Sequence, residues 1–166
     1  YGVDTLIHAF ARLMQARADA DARLLIVGGG PQRAELESLV AGLHLSRRVE
    51  FVGAVSHSEV PRWLREMDIY VAASRDDSES FGVAVIEASA CASPVVVSDA
   101  GGLPEVVEDE VTGLVVPRND VSALERALAS LMNDPERRHR LGMAGRQRVV
   151  EMYRWPTCVD GMLAVY

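Results

Sequence analysis

Apolar positions recur at three- and four-residue spacing from the start of the chain: Leu6, Ile7, Phe10, Leu13 and Met14 share one face of a helix. The pattern then changes. Leu24-Leu25-Ile26-Val27 is a continuous apolar run behind Arg23, closed by Gly28-Gly29-Gly30-Pro31, and it predicts a strand buried on both faces. Pro31 suits the first turn of a helix over about 31–43. Val49-Glu50-Phe51-Val52-Gly53 reads as a second strand. A helix over 59–66 follows, turning Val60, Trp63, Leu64 and Met67 inward; at that spacing Trp63 reads as core. Ile69-Tyr70-Val71-Ala72-Ala73 is a third strand. A helix from Ser80 or Phe81 to about Ala92 leads to a fourth over Pro94–Ser98. Ala100-Gly101-Gly102-Leu103-Pro104-Glu105 predicts a turn into a short helix, and Thr112–Val116 a fifth strand. Asp120 is placed to cap a helix over 121–132, and Asp134-Pro135-Glu136 opens another. Strands alternating with helices through short links predict a doubly wound, Rossmann-like parallel sheet with helices on both faces, one α/β domain over 1–166.

Ligands of such sheets bind at the carboxyl ends of the strands. The loop after the third strand, Ser74-Arg75-Asp76-Asp77-Ser78, lies there and runs into Glu79-Ser80-Phe81-Gly82-Val83-Ala84-Val85-Ile86-Glu87. A helix starting at Ser80 would set Glu79 and Glu87 about 12 Å apart along its axis, too far to share a proton or a metal. Between them the helix start, with unpaired N–H groups and a positive dipole end, favours an anion such as phosphate. The stretch reads as a cradle for a long ligand with a charged middle and hydroxyls at both ends. Asp76 and Asp77 have no partner at a third position, so no metal is expected.

Composition narrows the field. The chain has 166 residues, 49% hydrophobic and 25% charged, enough for one core, and a net charge of −7 argues against nucleic acid. All 17 basic residues are arginine, which excludes a Schiff-base or P-loop lysine. Arg33 stands where a dinucleotide fingerprint needs glycine. Cys91 and Cys158 read as free thiols in a reducing cytoplasm. His8, His44, His57 and His139 are scattered, without a carboxylate to orient them. There is no Gly-x-Ser-x-Gly elbow and no His-Glu-x-x-His motif. Glu79 and Glu87 are too widely spaced for a glycosidase pair. Arg137, Arg138, Arg140, Arg146 and Arg148 form a basic run that reads as a solvated helix face in preference to a lipid site. No apolar run is long enough to span a membrane.

Glu79-Ser80-Phe81-Gly82, Glu87-Ala88, Pro94-Val95-Val96, Gly101-Gly102-Leu103-Pro104-Glu105-Val106-Val107 and Thr112-Gly113-Leu114-Val115-Val116-Pro117 together resemble the carboxyl-terminal half of retaining glycosyltransferases of the GT-B fold, group 1, family 4. Gly2-Val3-Asp4-Thr5-Leu6-Ile7, Ile26–Pro31 and Val49–Gly53 extend the resemblance over nearly the whole chain. It implies a hexosyltransferase half that binds a UDP- or GDP-sugar, needs no cofactor or metal, and faces an amino-terminal acceptor domain. Glu79 would take the donor sugar, Phe81, Gly82 and Val83 would offer N–H groups to the diphosphate, Glu87 would hold the ribose hydroxyls, and Val52 and Gly53 would flank the base.

The family commonly has glycine where this chain has Ala92, and its basic diphosphate ligands lie just before or at position 1. The expectation is therefore a fragment, inactive alone, that lacks the sheet's central strand, associates through the exposed edges as a homo-oligomer, and uses 135–166 against the acceptor domain. A cytoplasmic location fits, with a peripheral seat at the inner membrane face as an option. A non-enzymatic nucleotide-sugar module and a nucleotide-sugar epimerase of the same fold stand as alternatives.

Overall fold

The computed structural model describes residues 1–17, 20–76 and 81–153. The elements are α1 (Val3–Ala16), β1 (Leu24–Val27), α2 (Arg33–Gly42), β2 (Val49–Gly53), α3 (Val60–Glu66), β3 (Tyr70–Ala72), α4 (Val83–Ala90), β4 (Val95–Ser98), α5 (Leu103–Val106), β5 (Leu114–Val116), α6 (Val121–Asn133) and α7 (Pro135–Met152). Asp120 accepts the Ala123 N–H at 2.8 Å and Asp134 the Arg137 N–H at 2.8 Å, so α6 and α7 both begin on aspartate caps.

All strand pairs are parallel, but they form two sheets where the apolar pattern predicts one: β1 with β2, and β3-β4-β5. The register of the second sheet sets Tyr70 beside Val95 and Val96 beside Leu114. Period-two geometry then divides β4 between two cores. Val96 packs into a cluster with Ile7, Phe10, Leu13, Leu124, Leu128 and Leu131 from α1 and α6, whereas Val95 and Val97 pack with Leu64, Val85, Leu103 and Val106 from α3, α4 and α5. Helices thus cover both faces, and all four β4 residues are buried. Each fully buried valine of this strand is worth about 1.5–3 kcal/mol.

The arginine run on α7 is not a solvated face. Arg138 donates to the carbonyls of Leu131 and Met132 at the end of α6, Arg146 to Ala90 at the end of α4, and Arg148 to Glu105 and Val106 at the end of α5. Arg137 pairs with Glu110, and Arg140 is exposed. Three arginines therefore satisfy the orphan carbonyls of three other helix ends, where a cation also meets the negative end of the dipole. Trp63 is half-buried, with the Arg62 guanidinium 5.6 Å from its ring centroid.

Candidate functional site

The carboxyl ends of β1, β2 and β3 converge on a cavity of about 440 Å³. Gly28, Gly29 and Gly30 form one wall, Ser74 follows β3, and Gly82, Ala84 and Val85 bring in the start of α4. This is the end of the sheet at which the fold class predicts a ligand.

Helix α4 begins two or three residues later than the apolar pattern predicts. Gly82 is its N-cap in the left-handed region at φ 65, a conformation that ends helical geometry at that residue. A side chain there would also meet Leu103, with a Cβ only 2.8 Å from Leu103 Cδ2. The first intrahelical bonds run from the Val85 and Ile86 N–H groups to the Gly82 carbonyl, at 2.9 and 3.1 Å. The N–H groups of Val83 and Ala84 precede them and have no acceptor within the helix. Phe81 and Val83 are exposed apolar residues, 53% and 58% accessible, and the Phe81 ring meets Tyr153 edge-on with centroids 5.8 Å apart. Glu87 lies one turn into α4, half-buried, with its Oε1 3.8 Å from Nδ1 of the exposed His57. Glu79 lies outside the described residues, as does Asp77. Among the described residues of the interval between the two glutamates 83–87 are helical and Gly82 is left-handed, so the spacing of about 12 Å from an unbroken helix does not carry over.

Val52 and Gly53 sit at a β-bulge. Ile26 pairs with Phe51 and Val27 with Gly53, leaving Val52 as the extra residue on β2. Gly53 is buried, and its carbonyl accepts the Gly28 N–H at 2.8 Å, which ties the glycine loop to the end of β2.

Two cations stand near this end of the sheet, and the motif reading assigned neither of them a role there. Arg33 lies beside Gly53: it reaches the Phe51 carbonyl at 3.3 Å, sits 5.8 Å from the Phe51 ring centroid and pairs with Glu37 at 2.8 Å. Arg75 follows Ser74 and bonds to the Asp4 carboxylate and, at 3.0 Å, to the Thr5 hydroxyl at the start of α1. The buried Nε of Arg75 has no hydrogen-bond partner among the described residues. No cluster of metal-ligating side chains occurs among the described residues.

The fold is a parallel α/β class with a cavity at the carboxyl ends of its strands, and comparison with known proteins sharpens it. The family model described as glycosyl transferases group 1 matches residues 1–148, and the chain belongs to that family. It is 36% identical over 161 residues to a GDP-mannose-dependent alpha-(1-6)-phosphatidylinositol monomannoside mannosyltransferase of Mycolicibacterium smegmatis, covering 94% of this chain and 42% of that protein. Among solved structures, the sucrose-phosphate synthase of Thermosynechococcus elongatus is 35% identical with a TM-score of 0.83, over 99% of this chain and 41% of that one. The Anabaena HepE protein in complex with UDP-glucose is 23% identical with a TM-score of 0.84, over 99% and 45% respectively, and shows the shared fold. The chain spans about two fifths of the length of these proteins.

Proposed function

We propose that this chain is the donor-binding half of a glycosyltransferase that moves a hexose from a UDP- or GDP-sugar to an acceptor with retention of configuration. The observation that carries the reading is the start of α4. Its first N–H groups, those of Val83 and Ala84, have no acceptor within the helix, and Gly82, Ala84 and Val85 line the cavity at the carboxyl ends of the strands, with Glu87 one turn behind. A diphosphate seats on such N–H groups, which act together with the dipole end of the helix. An ionised carboxylate only accepts hydrogen bonds, so Glu87 matches the two hydroxyls of a ribose. In the same reading Val52 and Gly53, at the bulge that ends β2, flank the base.

In this reading Phe81, Gly82 and Val83 form the diphosphate turn and Glu79 orients the sugar. The family's nucleotide-sugar chemistry supports it, as do the printed names of relatives: one uses GDP-mannose, and HepE binds UDP-glucose. Charge that develops on the leaving diphosphate is stabilised electrostatically in the transition state. In this reading the acceptor is held by a further domain that α7 contacts.

The test is a titration of UDP-glucose, GDP-mannose and ADP-glucose against the wild type and Glu87→Ala. Two lost hydrogen bonds to a charged acceptor weaken the preferred donor about 10- to 100-fold. Equal affinity of both proteins for all three nucleotides overturns the ribose assignment.

A further inference from the structure

A second hollow, also of about 440 Å³, runs along β2, and its lining includes Arg23, Arg33, Arg47, Arg48, Glu37 and Phe51. Four of the chain's 17 basic residues thus meet in one place on a protein whose net charge is −7. Arg33 and Phe51 also line the cavity at the carboxyl ends of the strands, so the two spaces adjoin. Gly82 and Ala84, at the start of α4, border only that first cavity.

Strand direction shows what the hollow accepts. The Leu24 N–H donates to the Arg48 carbonyl at 2.8 Å, which turns the backbone of Arg48, and by alternation that of Glu50, toward β1. Val49 and Phe51 therefore present their N–H and C=O groups to the outer edge, where β2 has no strand partner among the described residues. That edge is already partly closed. The Val49 N–H donates to the Leu45 carbonyl at 3.0 Å, and the Phe51 carbonyl accepts from Arg33 at 3.3 Å, so an added strand finds two of its pairing groups taken. The Phe51 N–H is left as an outward donor beside guanidinium groups, which only donate. The complementary ligand is compact, negatively charged and rich in acceptor atoms.

The charges of the hollow are not balanced from within. Of its two carboxylates, Glu37 is held by Arg33 at 2.8 Å, and Glu50 forms no ion pair among the described residues. Arg48 ties down the loop before β1 by donating to the Ala20 carbonyl at 2.5 Å and to Ala22 at 3.4 Å. Arg23 and Arg47 are exposed and have no hydrogen-bond or ion-pair partner among the described residues. Because Leu24 pairs with Val49, Arg23 and Arg48 precede adjacent strands about 5 Å apart, with Arg47 next to them in the chain. Like charges gathered at one strand end repel, and an anion between them removes that cost. We propose that this hollow binds a phosphate dianion, free or carried as a monoester, clamped by the Arg23 and Arg47 guanidinium groups and the Phe51 N–H. Arg33 closes the side toward the first cavity. Planar guanidinium groups match phosphate oxygens two at a time, which suits arginine over any other cation here.

The test titrates inorganic phosphate into the protein at constant ionic strength and follows the Phe51 amide and the Arg23 and Arg47 side-chain N–H signals by NMR. A saturable shift of all three is expected, and it should persist when UDP-glucose is already bound. Arg23→Gln combined with Arg47→Gln is expected to weaken phosphate about 10- to 100-fold, whereas Arg126→Gln, an exposed arginine of α6, leaves it unchanged. A parallel arm measures co-sedimentation with phosphatidylcholine vesicles that contain phosphatidic acid. Vesicle binding that the double variant loses, without saturation by soluble phosphate, assigns the site to a lipid-borne monoester; saturation by soluble phosphate assigns it to the free ion. Three results overturn the proposal: neither form binds, the shifts drift without saturating or weaken equally in Arg126→Gln, or UDP-glucose displaces the phosphate.

Discussion

The backbone of Gly142 in α7 lies directly on the Ala92 carbonyl at the end of α4: a Cβ on Gly142 would come within 2.9 Å of the Ala92 carbonyl carbon and 3.3 Å of the Pro94 nitrogen. Both neighbours are backbone, so neither can swing aside. Gly142→Ala gains about 1 kcal/mol of helix propensity but meets an overpacking cost of about 1–3 kcal/mol, at the upper end here because no side chain can yield. A net loss of about 2 kcal/mol follows, read as a lower urea midpoint. An unchanged or raised midpoint would show that α7 can shift away from α4.

Ala92 itself carries strain. Its φ is 61, and its N–H bonds to Ser89 at 2.9 Å while the Ser93 N–H reaches Ala88 at 3.1 Å, which together form a Schellman end for α4. That position favours glycine, and an L-residue there costs about 1–2 kcal/mol. Ala92→Gly relieves the strain and gives back part of it through a more flexible unfolded chain, leaving a gain of about 0.5–1 kcal/mol. Thermal unfolding of the two proteins side by side checks the sign.

Glu59 has a lowered pKa, chiefly because the Ser56 hydroxyl donates to its carboxylate at 2.5 Å, with a second bond from the Ser56 backbone N–H at 3.0 Å. A carboxyl held below its usual value near 4.5 stabilises the fold above that pH and loses the contribution as pH falls through the depressed value. Carboxyl-carbon NMR should show Glu59 titrating below 4.5, and Ser56→Ala should move it back up. A midpoint unmoved by that substitution would leave the hydroxyl bond without a role.

Arg148 joins the middle of α7 to the carbonyls of Glu105 and Val106, both at 3.2 Å, and to the Glu108 carboxylate at 3.8 Å. Arg148→Met keeps much of the stem and removes the donors, at about 1–2 kcal/mol given partial exposure. Amide exchange should quicken around α5 more than around α2. Uniform quickening would mean that the arginine acts on the whole fold and does not cap α5 in particular.

Much of this fold is readable along the chain because apolar runs closed by glycine or proline leave little choice: the run at Pro94–Ser98 became β4 at Val95–Ser98, and Asp120 and Asp134 became caps. Errors occur where a distant residue decides. The start of α4 moved from Ser80 or Phe81 to Val83 because Gly82 takes a left-handed turn under Leu103, 21 positions further on. Arg146 and Arg148 look like solvated charge until carbonyls 56 and 42 positions away come into reach. Arg75 had no visible partner in its own loop, since Asp4 is 71 positions distant. The site followed the same rule: local motifs marked Gly82 and Glu87, whereas the bulge at Val52 and the cations Arg33 and Arg75 depend on strand register and tertiary approach.

The helix-capping arginines also set an order of assembly. α4, α5 and α6 all precede α7 in the chain, yet their last carbonyls are satisfied by Arg146, Arg148 and Arg138 of α7. During synthesis the Ala90, Val106 and Met132 carbonyls at those helix ends leave the ribosome before their arginine partners, whereas the turn of α4 that bears Glu87 is already closed by the N–H groups of Cys91, Ala92 and Ser93.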